Sequence, residues 1–543
     1  MPDRESPRHY IILPLVALIA ILPLILHGCS CGHDFDFHII NWFEAAHQFT
    51  HGSLHPHWAY TPAFNAGEPR FIFYPPISWT IGAILGLIMP WTWTPIAYTW
   101  LALTAAGFSL YYVAKTFTSH NAALLAAAFY IVNPYTLYTA YERTAYAELL
   151  AAAWIPLLLH AILQEKISIP RIAIPVALLW LTNAPAAVMS CYALALLALI
   201  RIANPRTRES ANPVQIASKT TAGAALGLAL AAFYILPAAY QRRYVQITMA
   251  ILPGMTPQDN FLFHRLGIPD HDGVLRTASI VATILIALTV IALAINFFQK
   301  KEAHRSVLIS LTILTATITL LLTPLSAPIW HFLPELRFLQ FPWRILAVLA
   351  PTLSLAIALA LSQLNLKPAI TTVVSLTIAA AFTWPAYHLL HQYCYPEDTV
   401  SARLALYQSA NPGTEPTDEY TPTTANNDIL SATNPPFWLS TNPAAHPPTE
   451  SAPGPAPTHL TISSPIPQTL ILNLRNYPIW KITDNGVPIT PLTRPDGLIA
   501  VPIPAGPSII NITPTHRPDE IVGGIISFLA LLTLSLTRRR RTS

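Results

Sequence analysis

Two aspartates and two histidines crowd into one short stretch near the start of the chain, Gly32-His33-Asp34-Phe35-Asp36-Phe37-His38. It follows directly on the apolar run Tyr10 to Leu26, so it stands at the mouth of a membrane-helix candidate. Charged residues make up only 10% of the chain. Ionisable groups at a membrane edge are costly to keep, which marks these as candidates for function. A carboxylate there can take a proton from an acceptor hydroxyl. Asp34, Asp36 and His38 are therefore the candidate catalytic residues. If Asp34 to His38 continues as helix, those two side chains share one face while Asp36 points elsewhere. Asp34 with Asp36 is also a candidate site for a divalent cation such as Mg or Mn.

Further polar clusters recur where apolar runs end. Tyr141 to Glu148 supplies Glu142, Arg143 and Glu148; Glu335 to Arg344 supplies Arg337, Gln340 and Arg344. The guanidinium fork matches phosphate oxygens, so the arginines suit a phosphate. With His33, these residues form the candidate substrate-binding set. The implied substrate is a sugar on a polyprenyl phosphate: tail between helices, phosphate on arginine, anomeric carbon near Asp34. The acceptor would be an envelope glycan or protein. His47, His51, His55 and His57 suggest a metal cluster by their spacing, but Gly52 and Pro56 argue against one continuous helix. Asp270-His271-Asp272-Gly273 reads first as a turn.

What must position these groups is a helical bundle. The chain has 543 residues, 53% of them hydrophobic, and a mean hydropathy of +0.45. Apolar runs long enough to span a bilayer recur along it. The fold class expected is a polytopic α-helical membrane protein with about twelve spans. Basic residues fall between the runs and read as topology signals, not as a nucleic-acid patch. Counting them puts both termini in the cytoplasm and the segment 28–76 on the outer face. Arg4, Arg8 and the apolar core before Leu26-His27-Gly28-Cys29 resemble a lipoprotein signal. His27 fits that site poorly and many spans follow, so a retained first helix is expected. Pro76 to Met89 is short for a span and reads as an interfacial helix. The run from Ile172 to Ile200 reads as two helices broken at Thr182-Asn183-Ala184-Pro185.

The organisation expected is a membrane domain over 1–385, a proline-rich outer linker over 386–458, a small β-sandwich-like outer domain over 459–520, and a final span with a basic tail over 521–543. Asp484-Asn485-Gly486 is a hairpin signal between strands. Cys29, Cys31, Cys191 and Cys394 give no disulfide framework; Cys29 and Cys31 are too close for an easy bridge, and no zinc spacing is present.

These motifs resemble a family. The first span followed by Gly32 to His38 looks like the first outer loop of GT-C-type membrane glycosyltransferases. A closer resemblance is to the membrane family labelled "6-pyruvoyl-tetrahydropterin synthase-related". Phe73-Tyr74-Pro75-Pro76, Tyr141 to Glu148, Arg337 to Arg344 and Asp418-Glu419-Tyr420-Thr421-Pro422 carry it, together with the β-region from Trp480 to Gly506. The synthase label does not imply that activity, which needs a zinc site on a compact α+β fold. Many members carry Arg-Gly where this chain has Arg143-Thr144, so no tight backbone approach is expected there. The resemblance implies a GT-C-like glycosyltransferase of the bacterial inner membrane, with Asp34 as base or metal-placing residue and Asp36 second. A lipid-linked glycan transporter, or a scaffold for envelope assembly, is the alternative.

Overall fold

The computed structural model describes residues 8–204, 212–299, 304–364, 366–430, 434–448 and 451–539. Arg4, Arg206, Arg208, Lys300, Lys301, Arg540 and Arg541, which carry part of the expected topology, lie outside these residues.

Apolar segments in a bilayer must satisfy their backbone internally, and helices do so. Among the described residues eight helices are long and apolar enough to cross a membrane: His9–His27, Trp91–Lys115, Tyr146–Leu163, Ala184–Ala203, Pro269–Phe298, Pro342–Leu361, Pro368–Leu390 and Pro518–Leu536. Two sharply bent pairs raise the number to ten if each is one span: Pro213–Leu230 with Ala232–Tyr244, and Arg305–Leu321 with Pro324–Phe332. The sequence expects about twelve. The difference lies in two stretches that are helical but short. His120–Val132 ends at Asn133-Pro134, where the Asn133 side chain accepts the amides of Tyr135 and Thr136 and starts a new helix. Ile169–Thr182 ends at Asn183, which caps Ala184–Ala203 in the same way. Such a cap resets the hydrogen-bond ladder, so one apolar run becomes two helices. Asp270 to Gly273 is not a turn. It is the first turn of a helix, and Asp272 accepts the amides of Leu266 and Gly267 that precede it.

The first helix packs into the bundle through Leu13, Val16, Ala17 and Ala20, all fully buried. Helix Phe35–Thr50 follows it. Pro76–Ile88 has 13 residues, about 20 Å of helix, short of a hydrocarbon core of about 30 Å.

The chain is bent at Ala231 by 77°. Ser527 of the last helix closes the break. Its hydroxyl accepts the Phe233 amide at 2.9 Å and donates to the Ala229 carbonyl at 3.1 Å. Gly523 permits this approach, since a Cβ there would stand 2.6 Å from the Ala232 carbonyl oxygen.

Among the described residues seven strands form two antiparallel sheets: β1 Phe437–Ser440, β2 His459–Ser464, β3 Gln468–Arg475, β4 Trp480–Asp484, β5 Val487–Pro488, β6 Leu498–Ile503 and β7 Gly506–Pro514. One sheet has the order β1-β3-β6, the other β2-β7-β4-β5. Leu470, Leu472, Ile499 and Val501 of the first and Ile482, Ile510 and Ile512 of the second share one buried core. Asn485 and Gly486 both have positive φ, as a two-residue hairpin turn between β4 and β5 requires. Strand β1 falls where the sequence reads as linker; its Trp438 packs with Ala63, Ala66 and Ile471. That contact docks the loop 28–76 on the sheet, as do the hydrogen bonds from the Arg475 amide to the Ala66 carbonyl and from Asn473 to the Phe64 carbonyl.

Candidate functional site

Asp34 sits at the N-terminal end of helix Phe35–Thr50, and its backbone is held before its side chain is. Its amide donates to the Arg143 carbonyl at 2.9 Å. Gly32 makes that approach possible: a Cβ there would stand 2.2 Å from the Glu142 carbonyl oxygen. On the facing segment, Thr144 takes the left-handed conformation (φ 50°, ψ 37°) that ends the π-turn Thr139–Arg143. This is a position glycine suits. Contrary to the expectation from Arg143-Thr144, the close backbone approach is present, and threonine carries the strain.

Arg143 is the hub. Its guanidinium donates to Glu148 at 2.7 Å and to Asp34 at 3.3 Å, and stacks over Trp343. Glu148 also accepts from the Tyr135 hydroxyl, which reaches the Arg344 carbonyl at 3.2 Å. Arg143 and Glu148 are buried, whereas the Asp34 side chain is 38% exposed. Asp34 therefore faces a cavity of about 570 Å³, which His38, Arg143, Glu148, Gln340 and Arg344 also line. Burial lowers the His38 pKa to about 4, with Asp34 opposing, so the imidazole is neutral at pH 7. Trp180, Val188, Ile235 and Ala238 give the cavity an apolar wall from the helices.

Arg344 lines the cavity with donors to spare. Its Nη1 donates to the Leu339 carbonyl and to Gln340 Oε1. Among the described residues its Nε–Nη2 edge has no hydrogen bond, and Nε is buried. Gln340, itself strained at φ 63°, is fixed by donating to the Ala250 carbonyl at 2.6 Å.

Four predicted residues stand elsewhere. Asp36 lies two positions along the helix, about 200° round it, and is ion-paired with Arg403 from helix Val400–Tyr407. Asp34 and Asp36 thus do not converge, and the two-aspartate cation site does not fit the donor geometry. Glu142 turns away from the cavity to accept from Gln392 at 2.8 Å, with the half-exposed His33 beside it at 3.7 Å. Arg337 is exposed and lies over Phe338. Among the described residues no group of three or more His, Cys, Asp or Glu is placed to hold a metal, which removes the histidine cluster 47–57 as a metal site.

The sequence reading missed two features. Glu419 lines the cavity, and its carboxyl accepts a hydrogen bond from its own backbone amide. Burial pushes its pKa up, Glu68 adds to this and Arg70 opposes it. Its turn is pinned by the Thr417 amide donating to Glu68 and by Arg70 donating to the Thr417 hydroxyl. The signal was Asp418 to Pro422, quoted for resemblance and given no role. Second, Cys31 and Cys394 form a disulfide, correcting the expectation of none. Beside it, the Cys31 amide donates to the Gln392 carbonyl and the Gln392 amide to Ser30 Oγ.

No curated protein matches the sequence. Among solved structures, the chain is similar to the cryo-EM structure of the arabinofuranosyltransferase AftD from Mycobacteria, at 17% identity and TM-score 0.44, over 71% of this chain and 27% of that one. A mutant form of AftD matches at 18% identity and TM-score 0.43, over 70% and 28%. The chain thus spans little more than a quarter of the length of these structures. The model of the 6-pyruvoyl-tetrahydropterin synthase related domain, a membrane protein family, matches residues 71–390, more than half of the chain. With a helical membrane fold and the Arg143 and Arg344 segments both inside that match, the chain belongs to the 6-pyruvoyl-tetrahydropterin synthase related membrane proteins.

Proposed function

We propose that this protein is a membrane glycosyltransferase that moves a sugar from a polyprenyl-phosphate donor to an envelope acceptor. The observation that carries the reading is one cavity with three fittings: a half-exposed Asp34 carboxylate, the unfilled Nε–Nη2 edge of Arg344, and an apolar wall. Each matches one part of such a donor and its acceptor. The edge of Arg344 presents two parallel N–H groups, the geometry that pairs with two phosphate oxygens. The wall takes the first isoprene units.

In the transfer step, Asp34 accepts the proton of the acceptor hydroxyl. The freed oxygen bonds to the anomeric carbon, and the bond from that carbon to the phosphate oxygen breaks. The electron pair leaves on the lipid phosphate, where Arg344 meets the new charge. Arg143 aims Asp34, and Glu148 balances the charge of Arg143 so that it does not pair with the leaving phosphate.

The Cys31–Cys394 disulfide supports an oxidising outer location for this face, because such bonds persist in the periplasm or outside the cell. The cavity and β-region are then extracytoplasmic, with both termini in the cytoplasm of a bacterial inner-membrane protein. The test is Asp34→Asn in proteoliposomes with a polyprenyl-phosphate sugar. Loss of a general base lowers transfer by about 10²–10⁴-fold. Full activity in the variant removes Asp34 from the mechanism and the reading with it.

A further inference from the structure

A second cavity, of about 890 Å³, opens between the C-terminal half of helix Phe35–Thr50, the loop after it and the β-region. We infer that it binds a run of neutral sugar residues of the acceptor, distinct from the cavity at Asp34.

The chemistry of the lining selects the ligand. Tyr60, Tyr407 and Trp480 supply aromatic surface, and the buried Trp58 packs against Trp480. Trp58 and Trp480 stand edge to face with ring centres 5.2 Å apart. Neutral polar groups share the lining: Gln408, and Gln48, Asn65 and Thr515, which donate to the Trp58 carbonyl, to Asn411 and to the Ile479 carbonyl and keep their oxygens as acceptors. Among the described residues no lysine or arginine lines this cavity, which disfavours a phosphate or a polyanion. Its one carboxylate, Glu44, is already committed to the amides of Tyr60 and Thr61 at 2.9 and 2.6 Å.

The histidines are part of the same pattern. Burial holds the pKa of His55 and of His57 down to about 4, and that of His47 is lowered too. A neutral imidazole offers one donor and one acceptor, which is what a ring hydroxyl asks for. Flat aromatic surface beside neutral polar groups and neutral imidazoles matches a carbohydrate, whose rings carry an apolar face and a hydroxyl rim.

Helix Phe35–Thr50 joins the two sites. Asp34 and His38 at one end line the first cavity; Glu44, His47, Gln48 and His51 further along line the second. From Asp34 to Glu44 and on to His51 the offset is about three to five turns, roughly 15–25 Å. A glycan lying in the second cavity can therefore present its terminal hydroxyl toward Asp34.

This inference rests on the transferase reading, and its test separates the two. The full chain in nanodiscs is titrated with a linear glucose oligosaccharide, a linear arabinofuranose oligosaccharide and a galacturonic-acid oligosaccharide, followed by saturation-transfer NMR. The expected result is binding of at least one neutral oligosaccharide and none of the acidic one. Tyr407→Ala with His51→Ala weakens it by about tenfold, the scale of one lost aromatic contact. Tyr407→Phe, which keeps the ring, retains it and controls for folding, and Gln408→Ala at an exposed position reports a milder loss. Asp34→Asn leaves binding intact. In transfer assays the cavity variants raise the acceptor KM and spare kcat and the donor KM. Failure of both neutral oligosaccharides to bind, tighter binding of the acidic one, or binding indifferent to Tyr407 and His51 overturns the inference, whatever Asp34→Asn does to transfer.

Discussion

Replacing Arg344 tests the phosphate assignment most directly. The side chain reaches the cavity with one nitrogen occupied: Nη1 holds the Leu339 carbonyl at 3.2 Å and Gln340 at 3.3 Å. The other edge is left for substrate, so Arg344→Gln removes two charge-assisted hydrogen bonds to the leaving phosphate. Such bonds contribute about 1.5–3 kcal/mol each. If roughly 3–4 kcal/mol of this is expressed at the transition state, kcat/KM falls by about 10²–10³-fold. Arg344→Lys keeps the charge and loses the fork, so it should fall between, about 10–30-fold below wild type. The same geometry predicts an opposite effect on stability. A buried unpaired Nε costs the empty protein about 1–3 kcal/mol, so Arg344→Gln should melt no lower than wild type. The assay is transfer from a polyprenyl-phosphate sugar in proteoliposomes, with thermal melts of the same samples. Donor at 100 times its Kd should stabilise wild type by about 2.7 kcal/mol and Arg344→Gln by much less. A well-folded Arg344→Gln with transfer within about threefold of wild type refutes the reasoning, because no fork can then be carrying the phosphate.

Other outcomes follow from neighbouring groups. Glu148→Gln takes the 2.7 Å carboxylate from the buried Arg143 and leaves it Asp34 at 3.3 Å, so stability should fall by about 1–3 kcal/mol, read as a fall in melting temperature. His38 has its pKa held near 4 against an ordinary 6.5. The unfolded chain therefore takes the proton first, and stability falls as pH drops from 6.5 towards 4. Melts across that range should show a slope that His38→Gln flattens. For the disulfide, a membrane-impermeant reductant on intact cells should open Cys31–Cys394 and make both thiols available to an impermeant maleimide. Labelling only after permeabilisation would place the cavity on the other side.

Spans were legible because apolar length is a local property, and the break at Asn183 was local too; the break at Asn133-Pro134 was not read. The site was legible in parts. Asp34, Arg143, Glu148, Gln340 and Arg344 do line one cavity or its wall, as their scarcity and type suggest. Asp36 went astray because two residues of helix turn a side chain to the far face, towards an Arg403 that lies 367 positions away in sequence. Glu142 and Arg337 have the right chemistry, but the π-turn Thr139–Arg143 and the 3-10 turn Leu336–Leu339 aim them outward. No local rule gives the aim of a side chain on an irregular turn. The cysteine pair was hidden for a related reason: spacing along the chain says nothing at a sequence separation of 363. Strand β1 was lost among prolines, since four residues carry too little alternation to read.

The bend at Ala231 gives the last helix a task beyond anchoring. Hydrocarbon offers no water to a broken backbone ladder, so every freed group there needs a protein partner. Ser527 is such a partner, serving Phe233 and Ala229 at once. Tyr234, Ile235 and Ala238, just past the break, are cavity wall. The C-terminal segment thus acts as a splint for a fractured helix, and a generic hydrophobic anchor exchanged for it would keep the protein in the membrane while letting that wall straighten.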